Sequence, residues 1–329
     1  MEDAIEKFPT QFDWHPAIEQ SRQFGPFERY IVCGMGGSAL GAWIVQSYGA
    51  SPQIVIHRDY GLPRYSDDQL KKSLIILSSY SGDTEEVLDA ASEAITRGLT
   101  IAILTTGGAL LKLAKDHNIP YVQMPDVGIP PRMAIGLSMI GIARLMNDTD
   151  LEERIRQAGL SIQPKLNRAE AGQLAIALRG KIPLVYASES NAVLAYLWKI
   201  KFNENAKIPA FFDTFPELCH NELSGYDIAD STRALSGAFH LIFLSDDTDH
   251  MRIQKRMDIT AHMLGARGIP VTYINVLGEE SNIGRQGFEK AFYAALYADW
   301  VTLDMAQYYQ VPDAQLTPLI AEFKKKMTE

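Results

Sequence analysis

Ser78-Ser79-Tyr80-Ser81-Gly82-Asp83-Thr84-Glu85-Glu86 decides how this chain folds. The apolar run Leu74-Ile75-Ile76-Leu77 precedes it and reads as a parallel strand buried on both faces. Val87, Leu88, Ala91 and Ile95 follow at helical spacing. The stretch is therefore a strand-to-helix turn with hydroxyls gathered around a glycine. A helix N-terminus presents N–H groups and a partial positive charge. With hydroxyl donors and backbone bared by Gly82, such a turn suits a phosphate. It contains no lysine, so it is not a nucleotide P-loop, and a small phosphorylated ligand fits better. The alternative is plain capping, with Asp83 and Glu86 forming a capping box.

Working outward, strands are expected at 30–33, 53–57, 74–78, 100–104 and 120–123. Helices are expected at 38–48, 67–72, 84–97, 109–117 and 132–146. This alternation predicts a doubly wound parallel sheet with ligands at the carboxyl ends of its strands. Acidic 147–153 marks a boundary, so the first domain is placed at 1–150 and the second at 151–329. In the second, helices at 151–159 and 167–179 lead back into alternation. Strands follow at 182–187, 210–212, 239–244 and 270–274, and helices at 191–205, 248–264, 283–309 and 317–326. The fold class is α/β, two doubly wound subdomains, each with a mainly five-stranded parallel sheet flanked by helices. The second half has no hydroxyl loop: Ser245-Asp246-Asp247-Thr248-Asp249 stands in its place and is acidic. Only the first half is expected to hold phosphate.

A length of 329 residues allows both domains a core. The net charge of −9 argues against nucleic acid as the main partner, which needs a basic face. Only Cys33 and Cys219 are cysteines, and Cys33 lies in an apolar strand, so a buried free thiol in a reducing compartment is expected. Met1-Glu2-Asp3-Ala4 has neither the basic region nor the apolar core of a secretory leader. No apolar run reaches the ~18 residues of a membrane span. A cytoplasmic protein without membrane partners is the expectation.

A second loop, Gly34-Met35-Gly36-Gly37-Ser38, follows the first strand. Its glycine spacing does not match a dinucleotide fingerprint, and no convincing acidic residue ends the second strand. The glycines more plausibly admit close backbone approach to a ligand, with Ser38 capping the next helix.

The glycine loop ending in Ser38, followed by Ser79-Tyr80-Ser81-Gly82-Asp83-Thr84, resembles the sugar isomerase (SIS) domain. Three more segments narrow the match: Pro130-Pro131-Arg132, Phe202-Asn203-Glu204-Asn205-Ala206-Lys207 and His220-Asn221-Glu222-Leu223-Ser224-Gly225-Tyr226. Together they resemble the bifunctional phosphoglucose/phosphomannose isomerases, over nearly the whole chain. The resemblance implies interconversion of glucose 6-phosphate or mannose 6-phosphate with fructose 6-phosphate, with no metal and no organic cofactor. It implies substrate binding by Gly37, Ser38, Ser79, Ser81, Thr84, Arg132 and Thr317. Arg132 would steady an enediolate and Glu204 would carry the proton between C2 and C1. His220 would open the ring from the neighbouring subunit of a homodimer, assisted by Lys324. Thr317 and Lys324 stand two helical turns apart, on one face, and the threonine would leave room for C2–C3 rotation.

Each residue has a plainer alternative. Arg132 could be a surface arginine, although a cation is disfavoured at a helix start. Glu204 could be a solvated glutamate, His220 a structural histidine, and Lys324 one of three solvated lysines. Ala39, Leu40, Asp83 and Tyr226 depart from the family pattern, which often has another glycine, asparagine and tryptophan at these places. Two other activities fit SIS architecture. A non-catalytic sugar-phosphate sensor would not need Glu204, His220 and Lys324. An amino-sugar isomerase would need an ammonia source or deaminating site.

Overall fold

The computed structural model describes residues 1–20, 27–49, 53–227, 229–277 and 287–327. The chain divides into two compact units, Lys7–Ile162 and Gln163–Glu329 with Met1–Glu6.

The first unit is built on β1 (Arg29–Cys33), β2 (Ile54–His57), β3 (Ser73–Ser78), β4 (Ile101–Thr105) and β5 (Tyr121–Gln123). All pair in parallel, in the order β2-β1-β3-β4-β5. Strand order reverses between β1 and β3, which is where an open α/β sheet leaves a crevice for ligand. Register across this switch pairs Cys33 with Leu77, so the glycine loop and the hydroxyl loop leave the sheet side by side. Every residue of β3 is buried, as expected for a strand covered on both faces. Val87, Ala90, Ala91 and Ala94 of the Glu85–Thr96 helix pack with Ile31, Ile75 and Leu77 in one apolar cluster. Each large aliphatic side chain buried there is worth about 1.5–3 kcal/mol over its exposed state. Cys33 is buried and free, and burial pushes its thiol up to about 12, so it is inert packing.

The second unit contains β6 (Ile182–Ser188), β7 (Phe211–Phe215), β8 (Phe239–Ser245) and β9 (Val271–Asn275). These also pair in parallel, in the order β7-β6-β8-β9. This sheet has four strands among the described residues, where about five were expected. Its core is dominated by the Phe288–Tyr308 helix, buried over most of its length. Trp198 of the Ala192–Lys201 helix stacks on Tyr297 with ring centres 5.7 Å apart. The expected start of the long helix, at 283, lies outside the described residues. Among the described residues no helix is long and apolar enough to cross a membrane.

Candidate functional site

The first unit gathers six of the expected residues at the carboxyl end of its sheet. Ser38, expected to cap the Gly37–Tyr48 helix, lies inside it, the N-cap being Gly36, and its hydroxyl accepts the Tyr80 amide at 3.0 Å. The Ser78 hydroxyl donates to the Ser38 carbonyl at 3.1 Å. These two bonds hold the glycine and hydroxyl loops together. Within the hydroxyl loop, Ser79 Oγ lies 2.8 Å from Thr84 Oγ1 and accepts the Gly82 amide at 3.0 Å. Gly82 has φ +79°, and a Cβ there would lie 1.9 Å from the Gly107 carbonyl oxygen, so this position needs glycine. Ser79 is buried beneath the turn, whereas Ser81 is exposed on it.

The alternative reading, a capping box of Asp83 and Glu86, is not what the turn shows. Thr84 is the N-cap of the Glu85–Thr96 helix, but its side chain makes no capping bond to it. Asp83 turns away and accepts the Ala109 amide at 2.8 Å, at the start of the Gly108–Asp116 helix. The extra carboxylate is thus engaged with a neighbouring helix start, where its charge is favoured. The Thr84 hydroxyl joins Ser79 instead, which gathers hydroxyls at the N-terminus of the helix. Tyr80 places its hydroxyl in the interior, without a hydrogen-bond partner among the described residues, and burial pushes it up to about 12.

Arg132 was expected to begin a helix at 132. It lies instead in a short 3-10 turn, Pro131–Met133, ahead of the Ile135–Leu145 helix. Pro131 opens this turn, and Ala134, at φ −89° and ψ 29°, separates it from the α-helix. Arg132 is 2% exposed, so it is not a surface arginine. A Cβ on Gly37 would lie 2.7 Å from the Arg132 amide and 2.8 Å from the Pro131 carbonyl carbon. The glycine loop and the arginine turn therefore touch backbone to backbone. Gln11, not singled out in the sequence, braces this turn by donating to the Met133 carbonyl at 2.8 Å and accepting the Gly136 amide at 3.1 Å.

The second unit holds the remaining four. The helix expected to run to 205 is α-helical over Ala192–Lys201 and then widens into a π-turn, Phe202–Ala206. Such bulges often mark functional positions because they redirect side chains. The buried Asn205 side chain donates to Thr302 Oγ1 at 3.0 Å and to Asp299 at 3.3 Å. Glu204, next to it, is half-buried and lines a groove of about 750 Å³ with Thr317, Lys207, Pro209 and Tyr309. Lys207 Nζ donates to the carbonyls of Glu204 and Leu316, tying the Thr317 segment to the Glu204 turn. Thr317 immediately precedes the Pro318–Met327 helix, which has no buried residue, and Lys324 on it is exposed. His220 lies elsewhere in this unit, exposed on the Glu217–His220 turn that follows β7, and does not line the groove. Among the described residues no group of three or more His, Cys, Asp or Glu is placed to hold a metal ion.

The acidic loop of this unit, after β8, stands at the strand end that corresponds to the hydroxyl turn of the first unit. Asp246 is buried and forms a 2.6 Å ion pair with Lys290. It also accepts the Thr248 amide at 2.8 Å and the Asn191 amide at 3.0 Å. Burial alone would raise its carboxyl; Lys290 and Thr248 outweigh that and hold it below the usual range. The loop carries an anion of its own where the first unit offers donors. The helix expected from 248 begins only at Met251, after this loop.

Two parallel α/β sheets, the first with donor-rich loops at its switch point, are the architecture expected of a SIS protein. In agreement, residues 167–327 match the model of the bacterial phospho-glucose isomerase C-terminal SIS domain. The chain is 30% identical to a bifunctional phosphoglucose/phosphomannose isomerase of Aquifex aeolicus, covering 98% of this chain and 97% of that protein. It is 32% identical to a protein of the same name from Caldicellulosiruptor bescii, covering 86% and 85%. Among solved structures it resembles a glucosamine-6-phosphate deaminase from Thermotoga maritima, with a TM-score of 0.64 and 13% identity, over 95% of this chain and 94% of that one. The chain belongs to the bifunctional phosphoglucose/phosphomannose isomerase family.

Proposed function

We propose that the protein interconverts glucose 6-phosphate and mannose 6-phosphate with fructose 6-phosphate by proton transfer through an enediolate. The observation that carries this reading is the first unit's loop pair: Ser38 and the Ser79–Thr84 turn bonded together at a sheet switch point, with buried Arg132 against Gly37. Membership in the family supplies the substrate class.

In this proposal the domain spanning 1–150 is the phosphate-binding SIS domain and 151–329 is a SIS-like domain with its own task. Gly37, Ser38, Ser79, Ser81 and Thr84 bind the substrate, the hydroxyl turn taking the phosphoryl group through hydroxyls and helix amides. His220 gives its proton to the ring oxygen while Lys324 assists, opening the pyranose. Glu204 then removes the C2 proton of the open aldose and returns it to C1, while the O2 hydroxyl proton passes to O1. The pair of electrons left behind forms the C1–C2 double bond, and negative charge builds on the two flanking oxygens. Arg132 meets that charge, a contact strongest in the transition state. Thr317, a small side chain beside Glu204, leaves space for rotation about C2–C3, which is what admits the mannose epimer. The active form is a homodimer in which His220 comes from the partner, an isologous arrangement.

A coupled assay from fructose 6-phosphate, with chelator present and both aldose products scored separately, tests the activity. Binding of fructose 6-phosphate with no turnover would make the protein a sensor instead. Glu204→Gln tests the base: it should abolish solvent-deuterium entry at C2, and exchange at the normal rate would assign the proton to another group. Mixing Glu204→Gln with His220→Ala chains should restore activity if sites are shared between subunits.

A further inference from the structure

The π-turn at Phe202–Ala206 closes on a lysine in the left-handed region: Lys207 has φ 57° and ψ 35°. A Cβ makes that region costly, and glycine or asparagine usually stands just past a helix end. This chain follows the usual pattern elsewhere. Asn118 and Asn147, at φ 52° and 56°, follow the Gly108–Asp116 and Ile135–Leu145 helices. A lysine held in a disfavoured backbone conformation points to a use for its side chain. That side chain meets two acceptors. Its ammonium donates to the Glu204 carbonyl, three residues back, and to the Leu316 carbonyl, 109 residues on. The first bond is ordinary capping of a helix end. The second is not, because it joins the turn to a segment distant in sequence. Asn203 Nδ2 holds the exit of the turn as well, donating to the Ile208 carbonyl at 3.0 Å.

We propose that Lys207 is a positioning residue that sets epimer selectivity: it clips the entry of the last helix, and Thr317 with it, to the turn that bears Glu204. The effect on selectivity rests on the proposed roles of Glu204 and Thr317; the clip itself does not. Glu204 and Thr317 line one groove, and Lys207 is exposed at its edge. The Pro318–Met327 helix has 10 residues and buries none of them. A helix that short is marginal alone in water. Packing does little to place it, since Leu319 and Phe323 are 78% and 62% exposed. In that balance a charge-assisted bond at the helix entry decides where Thr317 stands. Lysine suits the task, because an ammonium has three donors and serves two carbonyls at once. When the clip is lost, Thr317 can draw back from Glu204, and the room for rotation about C2–C3 grows.

Three variants separate the clip from the backbone. Lys207→Gly removes the clip and suits the left-handed conformation, so its unfolding midpoint should not fall. Lys207→Met removes the clip and keeps the disfavoured backbone. Lys207→Arg keeps a cationic donor. Hydrogen exchange of segment 312–327 reads the clip without requiring turnover. Protection should fall about fivefold in the Gly and Met variants, as the loss of one hydrogen bond implies, and stay near wild type in the Arg variant. In the coupled assay from fructose 6-phosphate, the ratio of initial rates, mannose 6-phosphate over glucose 6-phosphate, should rise at least about twofold in the same two variants. The Arg variant should restore it. This ratio does not depend on how much of the enzyme is folded, so a merely structural lysine would leave it unchanged. Exchange unaltered in Lys207→Gly, whether protection persists or the wild-type segment has none, would overturn the clip. An unchanged product ratio beside lost protection would overturn the selectivity role. A wild-type chain without turnover would remove the functional reading, and the selectivity role with it, while the exchange data would still decide the clip.

Discussion

The turn that carries Glu204 depends on an ion pair sealed inside the second unit, and removing one partner tests that dependence. Lys201 Nζ lies 2.6 Å from Asp299 Oδ2, and the two side chains are 1% and 4% exposed. At an effective dielectric of about 20, charges at that separation of 2.6 Å attract by roughly 6 kcal/mol. Desolvation costs several kcal/mol per ion, so the intact pair contributes little net stability. Deleting one partner is different. Lys201→Met leaves the Asp299 carboxylate in the interior, beside the Asn205 amide that already shapes the π-turn. The expected loss is about 3–5 kcal/mol. Lys201→Met combined with Asp299→Leu removes both charges and should recover at least about 2 kcal/mol of it, since an apolar pair of similar volume is often neutral. Guanidinium unfolding followed by tryptophan fluorescence is the assay, because Trp198 and Trp300 are both buried and lie on the two helices that the pair joins. The double variant should still turn over more slowly than wild type, because Asn205 has lost Asp299 and Glu204 sits next to it. A Lys201→Met chain destabilised by less than about 1 kcal/mol, or a double variant no more stable than the single one, would refute the reasoning.

Gly37→Ala drives a Cβ to 2.7 Å from the Arg132 amide, a backbone atom that cannot yield cheaply; it should cost about 1–3 kcal/mol, and calorimetry should show at least about tenfold weaker fructose 6-phosphate binding, a loss of 1.4 kcal/mol or more. Arg132→Ala should lower kcat by about 10²–10³ with a much smaller change in KM, by analogy with the loss of one donor to a developing oxyanion; near-normal kcat would remove Arg132 from that role. Asp246 has a lowered carboxyl, so its stabilisation is present above its ordinary 3.8 and is lost as pH falls through the depressed value. Lys290→Met should therefore cost about 3–5 kcal/mol at neutral pH, and the gap to wild type should narrow in unfolding measured near pH 3.

Much of the first sheet was legible because its chemistry is local. A parallel strand buried on both faces must be apolar along its length, so Leu74–Leu77 declares itself, and the hydroxyls after it mark the carboxyl end where a ligand sits. What was not legible depends on partners far apart in the chain. The π-turn at Phe202–Ala206 arises where Asn205 reaches Asp299 and Thr302, nearly a hundred positions on, and nothing in 202–206 foretells it. Arg132 was placed in a helix over 132–146, whereas the α-helix starts at Ile135 behind a 3-10 turn, and the burial of the Arg132 side chain is a tertiary effect that local spacing does not report.

The acidic loop after β8 shows how the two kinds of information combine. Its composition excludes a bound phosphate on charge alone, and that inference needs no coordinates. The coordinates add the cause: Asp246 is turned inward, its charge met by Lys290, Thr248 and Asn191, at the sheet end where the first unit gathers serines and amides. One architecture, used twice in one chain, thus satisfies the donors at its strand ends in opposite ways. The second unit closes them with its own carboxylate. The first surrounds a glycine turn with hydroxyls that bond to backbone groups and, between Ser79 and Thr84, to each other, and in the proposed function a ligand phosphate takes up their remaining hydrogen-bonding capacity.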